Sequence, residues 1–456
     1  NGCLKRRYFL SVVILTFMRQ VLKMLWPGCF YTAFIMSKNY YGKLWSNFVA
    51  LSIVQGTNFL LPLLVMPYVI HRIGADGFGV VAVAQVVMIY LSTISDYGFN
   101  LTATRDVTLY SNDHSRISKI FFTVLASRLI ISVVLFILLL IAVPLIPVLK
   151  EHFTLYALGF LYVIGQSLIV NWFFQGKEKM HYITVSTLIS RLIFVALVLL
   201  FIHVKDDNKY FLFFLGIGNI IAGLMSILIA ISVFKIKFYL PTATDIRNEL
   251  KSGWQITISN VSINTYLYSG IFILRIFTND LIVGYYSIAE RIFFAVRQVL
   301  AVFSQAVYPL ICQLSQKSKE AANGFFKNIY LPFLLMMLLG CSIVCFFSAE
   351  IIHIFIKTTS AVPVLILRIL SIVPVIVCLN IPAYQLLIAF DHKKSYLKIF
   401  GWATLINIAI NLILVYTFDA KGTALSMLLT EVFITAGLNF ELYKNKLNGF
   451  IIREQS

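Results

Sequence analysis

Long apolar runs separated by short polar connectors dominate the chain. Twelve runs have about the length that crosses a bilayer core as a helix, which takes about 20 residues. The predicted spans cover residues 46–66, 78–98, 119–142, 153–174, 181–203, 210–233, 252–274, 281–310, 325–347, 362–389, 396–416 and 420–441. The connectors are too short to form a soluble domain. The pattern therefore predicts an all-α polytopic membrane protein without an appended catalytic domain.

Composition supports this class. Of the 456 residues, 60% are hydrophobic and 12% are charged, whereas a soluble domain is about half apolar and a quarter charged. The net charge of +18 does not indicate nucleic-acid binding, because the basic residues recur in short clusters between apolar runs and form no single patch. The six cysteines show no metal-ligand spacing, so we expect small apolar fillers.

The distribution of Lys and Arg over the connectors predicts the orientation. Alternate connectors and the two flanking segments carry 20 basic residues, and the remaining connectors carry 7. Because basic loops stay inside, the richer side is predicted to be cytoplasmic, with both termini on it. Residues 1–35 do not fit this scheme, since Tyr8–Met18 is too short to span a bilayer. We expect residues 1–35 to be an uncertain N-terminal extension, a fragment artefact or an interfacial segment.

A short internal repeat links two connectors. Residues 72–85 and 275–290 both begin with Arg-Ile, continue with an acidic turn, and then place a glycine five residues before an alanine. The two glycines are Gly79 and Gly284. Each connector follows the first span of a six-span half, which is what a duplicated architecture of parallel halves predicts. We therefore expect two six-helix lobes, 36–240 and 241–456, with the substrate site between them. Pro67 is expected to help end the first span.

Charged residues inside the spans are the candidates for a binding site. An arginine at the bilayer centre costs about 2.5–3.5 kcal/mol, so such a residue usually faces a bundle interior or a water-filled cavity. Arginine also presents a planar fork that suits phosphate oxygens. The predicted substrate-binding residues are Arg128, Arg191, Arg291, Arg297 and Arg368. Arg128 could equally snorkel towards the nearer membrane surface, and an ion pair with Glu290 could neutralise only one of Arg291 and Arg297.

Acidic residues within the spans are fewer. They are Glu290 and Glu431, with Asp96 at a cytoplasmic end. Each is a candidate for coupling to a proton or Na⁺, although structural pairing is the alternative role. The positive balance of the interior predicts an anionic substrate. The sequence contains no nucleotide-binding loop, no HExxH motif and no Ser-His-Asp arrangement, so we expect no catalytic residue, no cofactor and no metal site.

Two stretches carry a family resemblance. Residues Leu61–Val107, which include PYVIHRIGADGFG, resemble the first two spans of the Wzx-type polysaccharide flippases, the O-antigen transporters. The stretch VGYYSIAERI (Val283–Ile292) resembles the eighth-span signature of that family, which belongs to the multidrug/oligosaccharidyl-lipid/polysaccharide superfamily. The resemblance implies two six-helix lobes around a central cavity in the bacterial inner membrane. It also implies movement of undecaprenyl-pyrophosphate-linked oligosaccharide from the cytoplasmic to the periplasmic leaflet, without catalysis.

The implied partners are the lipid-linked oligosaccharide, membrane lipid, and a polysaccharide polymerase and chain-length regulator. Two alternatives stay open. A cation-coupled multidrug exporter of the same superfamily is disfavoured by an interior in which arginines outnumber acids. A polytopic polysaccharide polymerase would normally carry a large periplasmic loop or exposed acidic catalytic residues, and the sequence has neither.

Overall fold

The computed structural model describes residues 38–317, 325–358, 360–390, 392–445 and 447. These residues form helices and connectors and contain no strand, as expected for an all-α membrane protein. The extension expected over residues 1–35 lies outside this part of the chain.

Twelve long helical segments account for most of the described chain. We label them α1 to α12. They are α1 (38–73), α2 (75–96), α3 (His114–Leu145), α4 (Phe153–Gly176), α5 (Met180–Phe201), α6 (Phe211–Val233), α7 (Ala243–Phe277), α8 (Asp280–Lys317), α9 (Phe326–Phe346), α10 (Val362–Ala389), α11 (393–418) and α12 (420–444). Each overlaps one predicted span, in the predicted order.

The first connector differs from the prediction. The chain stays helical from Lys38 to Asp96 through Pro67, and only Gly74 leaves the helical conformation, with φ 81° and ψ 165°. The expectation that Pro67 helps end the first span is therefore wrong. Proline removes one helical hydrogen bond, but a membrane helix tolerates the loss when neighbouring groups satisfy the freed carbonyls. The turn occurs at Gly74 because glycine adopts a positive φ at little cost.

Among the described residues, eight helical stretches are long and apolar enough to cross a membrane, and they contain all or part of ten of the twelve segments. The remaining two are α7 and α8, which carry the polar and charged residues described below. Reduced hydropathy in these two helices is what a polar interior wall requires, because charged groups inside a membrane face the protein or water.

The buried side chains form three clusters that show how the two halves meet. The largest cluster joins α1–α6 to α7–α12 and contains, for example, Val69 and Phe160 together with Ile288 and Leu370. Its members lie towards the membrane surface whose connectors carry few basic residues, the outer side. The other two clusters lie towards the opposite surface, the basic side. One contains residues of the C-terminal half only and the other residues of the N-terminal half only. The halves thus share one buried cluster on the outer side, whereas on the basic side each half has its own and contacts between the halves run through α7, as between Gly253 and Tyr97 and between Asp245 and Lys119.

The repeated glycines lie where the halves approach each other closely on the outer side. A Cβ built on Gly284 would lie 1.8 Å from the carbonyl oxygen of Ala75, and one on Gly79 would lie 2.0 Å from that of Asp280. Only hydrogen fits at these positions, so α2 and α8 cross with their backbones almost in contact. The internal repeat therefore marks the outer closure between the halves.

Candidate functional site: a basic cavity between the two halves

A cavity of about 710 Å³ lies between the halves. Helices α1, α2, α4, α5 and α6 form one wall, and α7 and α8 form the other. On α8 the lining residues Arg291, Phe294, Gln298 and Ala301 follow the helical repeat and so share one face. Some of the polar positions that reduce the hydropathy of α7 and α8, among them Asn264, Glu290 and Arg297, therefore lie on the cavity wall.

Three of the five predicted arginines line this cavity. They are Arg191 on α5 and Arg291 and Arg297 on α8. Arg291 donates a hydrogen bond through Nη2 to the side-chain oxygen of Gln85 on α2, which links the halves across the cavity. Arg191 interacts electrostatically with Tyr162 and Arg291. The sequence prediction that these arginines share a polar interior thus corresponds to a single cavity in the structure.

Arg297 belongs to a cluster with a buried carboxylate. Its Nη2 lies 3.1 Å from Oε1 of Glu431 on α12, and the Tyr266 hydroxyl donates to the same oxygen at 2.5 Å. The Nη1 of Arg297 is buried and has no hydrogen-bond partner among the described residues. The carboxylate that pairs with Arg297 is therefore Glu431, and one guanidinium nitrogen remains able to donate.

Glu290 also contributes to the cavity wall. It is 3% exposed and hydrogen-bonds the Tyr286 side chain. The wall thus carries one carboxylate, Glu290, for the three arginines Arg191, Arg291 and Arg297. Glu431 lies behind the wall, beside Arg297. The cavity is positive, and a positive, partly desolvated cavity attracts anions.

Arg128 lies in a smaller cavity towards the basic side. Its Nη2 is 3.2 Å from Asp96 Oδ1. Its guanidinium also donates to the carbonyl oxygens of Gln166 at 2.9 Å and Ile169 at 3.0 Å. Those carbonyls are free because α4 is interrupted between Leu168 and Asn171. Arg128 and Asp96 therefore hold a helix end in place, and their predicted roles in substrate binding and ion coupling stay predictions.

This smaller cavity, which we call the annex, measures about 250 Å³. It shares Ser92, Thr93 and Asn264 with the central cavity. The annex is lined by Ser92, Thr93, Asp96, Asn100, Arg128, Gln166, Asn260, Ile263 and Asn264.

Arg368 does not line the central cavity. It contributes to a separate pocket of about 600 Å³ with Glu350 and His353, and its Nε donates to Ser348 Oγ at 2.9 Å. Its predicted role in substrate binding stays a prediction, and the structure gives it different surroundings from those of Arg191, Arg291 and Arg297.

Several lining residues were not anticipated from the sequence. Gln85, Tyr162, Asn264 and Tyr268 all face the central cavity. Uncharged polar and aromatic side chains are common enough in membrane helices that their presence alone indicates no site. Gln85 had one usable signal, because the internal repeat aligns it with Glu290, six residues after the paired glycine.

Comparison with known proteins gives consistent results. Residues 44–315 match the polysaccharide biosynthesis protein family. A protein of Escherichia coli (strain K12) named as an O-antigen transporter is 29% identical over 409 residues, which cover 88% of this chain and 97% of the relative. A protein of Shigella dysenteriae with the same name is 26% identical over 394 residues, which cover 85% and 97%.

The fold is also found among solved structures. The lipid II flippase MurJ in an inward closed conformation aligns with a TM-score of 0.68 at 16% identity, with 88% of each chain covered. At this identity the likeness concerns the fold alone. The family match covers more than half of the chain, so the chain belongs to the polysaccharide biosynthesis protein family, in agreement with its resemblance to the Wzx-type polysaccharide flippases.

Proposed function

We propose that the protein moves an undecaprenyl-pyrophosphate-linked oligosaccharide from the cytoplasmic to the periplasmic leaflet of the bacterial inner membrane by alternating access. The two relatives are named as O-antigen transporters, which supports a lipid-linked saccharide as the cargo. Moving such a head group through hydrocarbon would require the removal of its hydration shell, at a cost of many kcal/mol. A polar cavity between two halves avoids that cost, while the polyprenyl tail remains in lipid.

The observation that carries the proposal is the set of three arginines in one cavity. Arg191, Arg291 and Arg297 converge on a space of about 710 Å³, and one nitrogen of Arg297 has no partner among the described residues. A diphosphate offers several oxygens to planar guanidinium groups, and charge-assisted hydrogen bonds of this kind are about twice as strong as neutral ones. A cation-binding exporter would instead require more carboxylates on this wall.

The packing of the halves supports the proposed direction. On the outer side the two halves share one buried hydrophobic cluster, and on the basic side each half has a buried cluster of its own. The excess of Lys and Arg predicts that the basic side is cytoplasmic. This arrangement suits a state that receives substrate from the cytoplasm. Both termini are proposed to be cytoplasmic, and a polymerase and a chain-length regulator are proposed to act on the delivered product.

The test is export of surface polysaccharide in a strain that lacks its own flippase. We expect alanine at Arg191, Arg291 or Arg297 to reduce export at least about tenfold, because each removes a charge-assisted contact. Lysine should preserve part of the activity, since it keeps the charge and loses the planar fork. Arg247→Ala is the matched control, because Arg247 is an exposed arginine near the start of α7 and lies outside the cavity. Wild-type export by all three alanine variants at normal expression would overturn the proposal.

A further inference from the structure

The annex differs chemically from the central cavity that it adjoins. Eight of its nine lining residues are polar, and Ile263 is the exception. The central cavity combines its arginines with apolar and aromatic residues such as Phe194, Tyr268 and Phe294. The two spaces adjoin at Ser92, Thr93 and Asn264, which line both of them.

The charges in the annex are already balanced. Arg128 forms an ion pair with Asp96 at 3.2 Å, and its guanidinium donates to two main-chain carbonyl oxygens. Because this arginine is neutralised and held in place, the annex has little attraction for a further anion. Its remaining capacity is neutral hydrogen bonding.

Three side-chain amides supply that capacity. Within the described chain, the amides of Gln166 and Asn260 have no hydrogen-bond partner. Asn264 donates through Nδ2 to Thr93 at 2.5 Å, which leaves its carbonyl oxygen as an acceptor. An amide offers both donors and an acceptor, and a hydroxyl group needs both. This combination fits a ligand rich in hydroxyl groups and without charge.

We propose that the annex binds sugar hydroxyl groups of the lipid-linked oligosaccharide while the arginines of the central cavity hold its diphosphate. The inference rests on the proposed function, since it assigns the two parts of that substrate to two adjoining spaces. The annex lies towards the basic side of the central cavity. The sugars therefore extend towards the cytoplasm when the diphosphate is bound.

The test separates sugar recognition from diphosphate recognition by calorimetric titration of the purified full-length protein in nanodiscs. The probes are farnesyl diphosphate alone and farnesyl diphosphate carrying one, two or three N-acetylglucosamine units. The variant combines Gln166→Ala with Asn260→Ala, which removes two amides that make no side-chain hydrogen bond within the described residues. Gln255→Ala is the matched control, because Gln255 is an exposed amide on the same helix and outside the annex.

We expect wild type and the Gln255→Ala control to bind at least one glycosylated probe about tenfold more tightly than farnesyl diphosphate. This is the effect of two hydrogen bonds of ordinary net strength. The double variant should lose that gain and keep its affinity for farnesyl diphosphate. Equal binding of all probes by wild type, or an undiminished gain in the double variant, would overturn the annex proposal alone. Failure of wild type to bind any diphosphate, or unchanged farnesyl diphosphate binding by Arg291→Ala, would overturn the proposed function.

Discussion

A single methyl group at Gly284 should open the outer closure between the two halves. In the structure, the Cβ of Gly284→Ala would lie 1.8 Å from the carbonyl oxygen of Ala75, and real Cβ atoms essentially never come within 3.0 Å of such an atom. The difference requires α2 and α8 to separate by at least about 1.2 Å at their crossing. The obstructing atom belongs to backbone, so no side-chain rotation relieves the contact.

The energetic consequence follows from overpacking, which typically costs about 1–3 kcal/mol. Since about 1.4 kcal/mol changes an equilibrium tenfold, the closed outer side should lose population by a factor of about 5 to 150 relative to a state in which the halves separate there. A transporter biased in this way should admit substrate from the cytoplasm less often, so export should fall although the arginines are intact.

Spin labels on the outer side measure the separation directly. Asp206→Cys, in the connector before α6, and Lys357→Cys, in the connector before α10, are exposed positions on opposite halves. In a variant without native cysteines, Gly284→Ala should add a population of longer label-to-label distances. Gly340→Ala is the control, because its Cβ would meet nothing within 4 Å. Identical distance distributions for wild type, the control and Gly284→Ala would refute the reasoning.

Three further outcomes are expected. Arg128→Ala should destabilise the purified protein by about 3–5 kcal/mol, measured by thermal unfolding in detergent, because it leaves Asp96 without its partner; an unchanged Tm would contradict this role. Glu431→Gln should tighten binding of farnesyl diphosphate by roughly tenfold in calorimetry, because it removes the carboxylate beside Arg297; weaker binding would count against an anion site there. Burial, with Asp106 and Asp245 nearby, raises the pKa of Glu249, which lies before the membrane-spanning part of α7, from 4.5 to about 7. The folded protein is therefore more stable when Glu249 is protonated. This stabilisation is fully present below about pH 4.5 and is lost as the pH rises through about 7. Glu249→Gln should accordingly raise Tm at pH 8 by about a degree or two and leave it nearly unchanged at pH 4.

The sequence predicts the helices well because bilayer thickness imposes one length on every span. Boundaries are less predictable where proline is involved. Pro67 is a helix breaker in water, yet here the helix continues to Gly74. Whether a membrane helix continues through a proline depends on tertiary packing that hydropathy does not encode.

The candidate site is only partly predictable, for a similar reason. The depth of an arginine in a span indicates that it needs a polar environment, and Arg191, Arg291 and Arg297 share one. Depth does not reveal which way the helix is turned. Arg368 lies on the exposed face of α10 that also carries Leu365 and Ile372. It therefore reaches a different pocket.

The amides of the annex were not recognised because an uncharged amide in a membrane helix costs far less than a charge and so gives a weak signal. Their significance comes from tertiary packing, since Gln166 and Asn260 belong to different halves and meet only where α4 and α7 border the same space. The positions of Gln166 and Asn260 in the sequence do not indicate that the two side chains border the same space.

We propose above all that this protein carries the diphosphate head of a lipid-linked saccharide across the membrane through the arginine-lined cavity. The most direct measurement is flipping in proteoliposomes. A polyprenyl-diphosphate-linked saccharide is placed in both leaflets, and the fraction accessible to an external, membrane-impermeant sugar-modifying enzyme is followed over time. We predict complete modification with wild-type protein and about half with a variant in which Arg291 and Arg297 are both replaced by alanine, as in protein-free liposomes. If wild type modified no more than protein-free liposomes, or if the double variant flipped at the wild-type rate, the account would be contradicted.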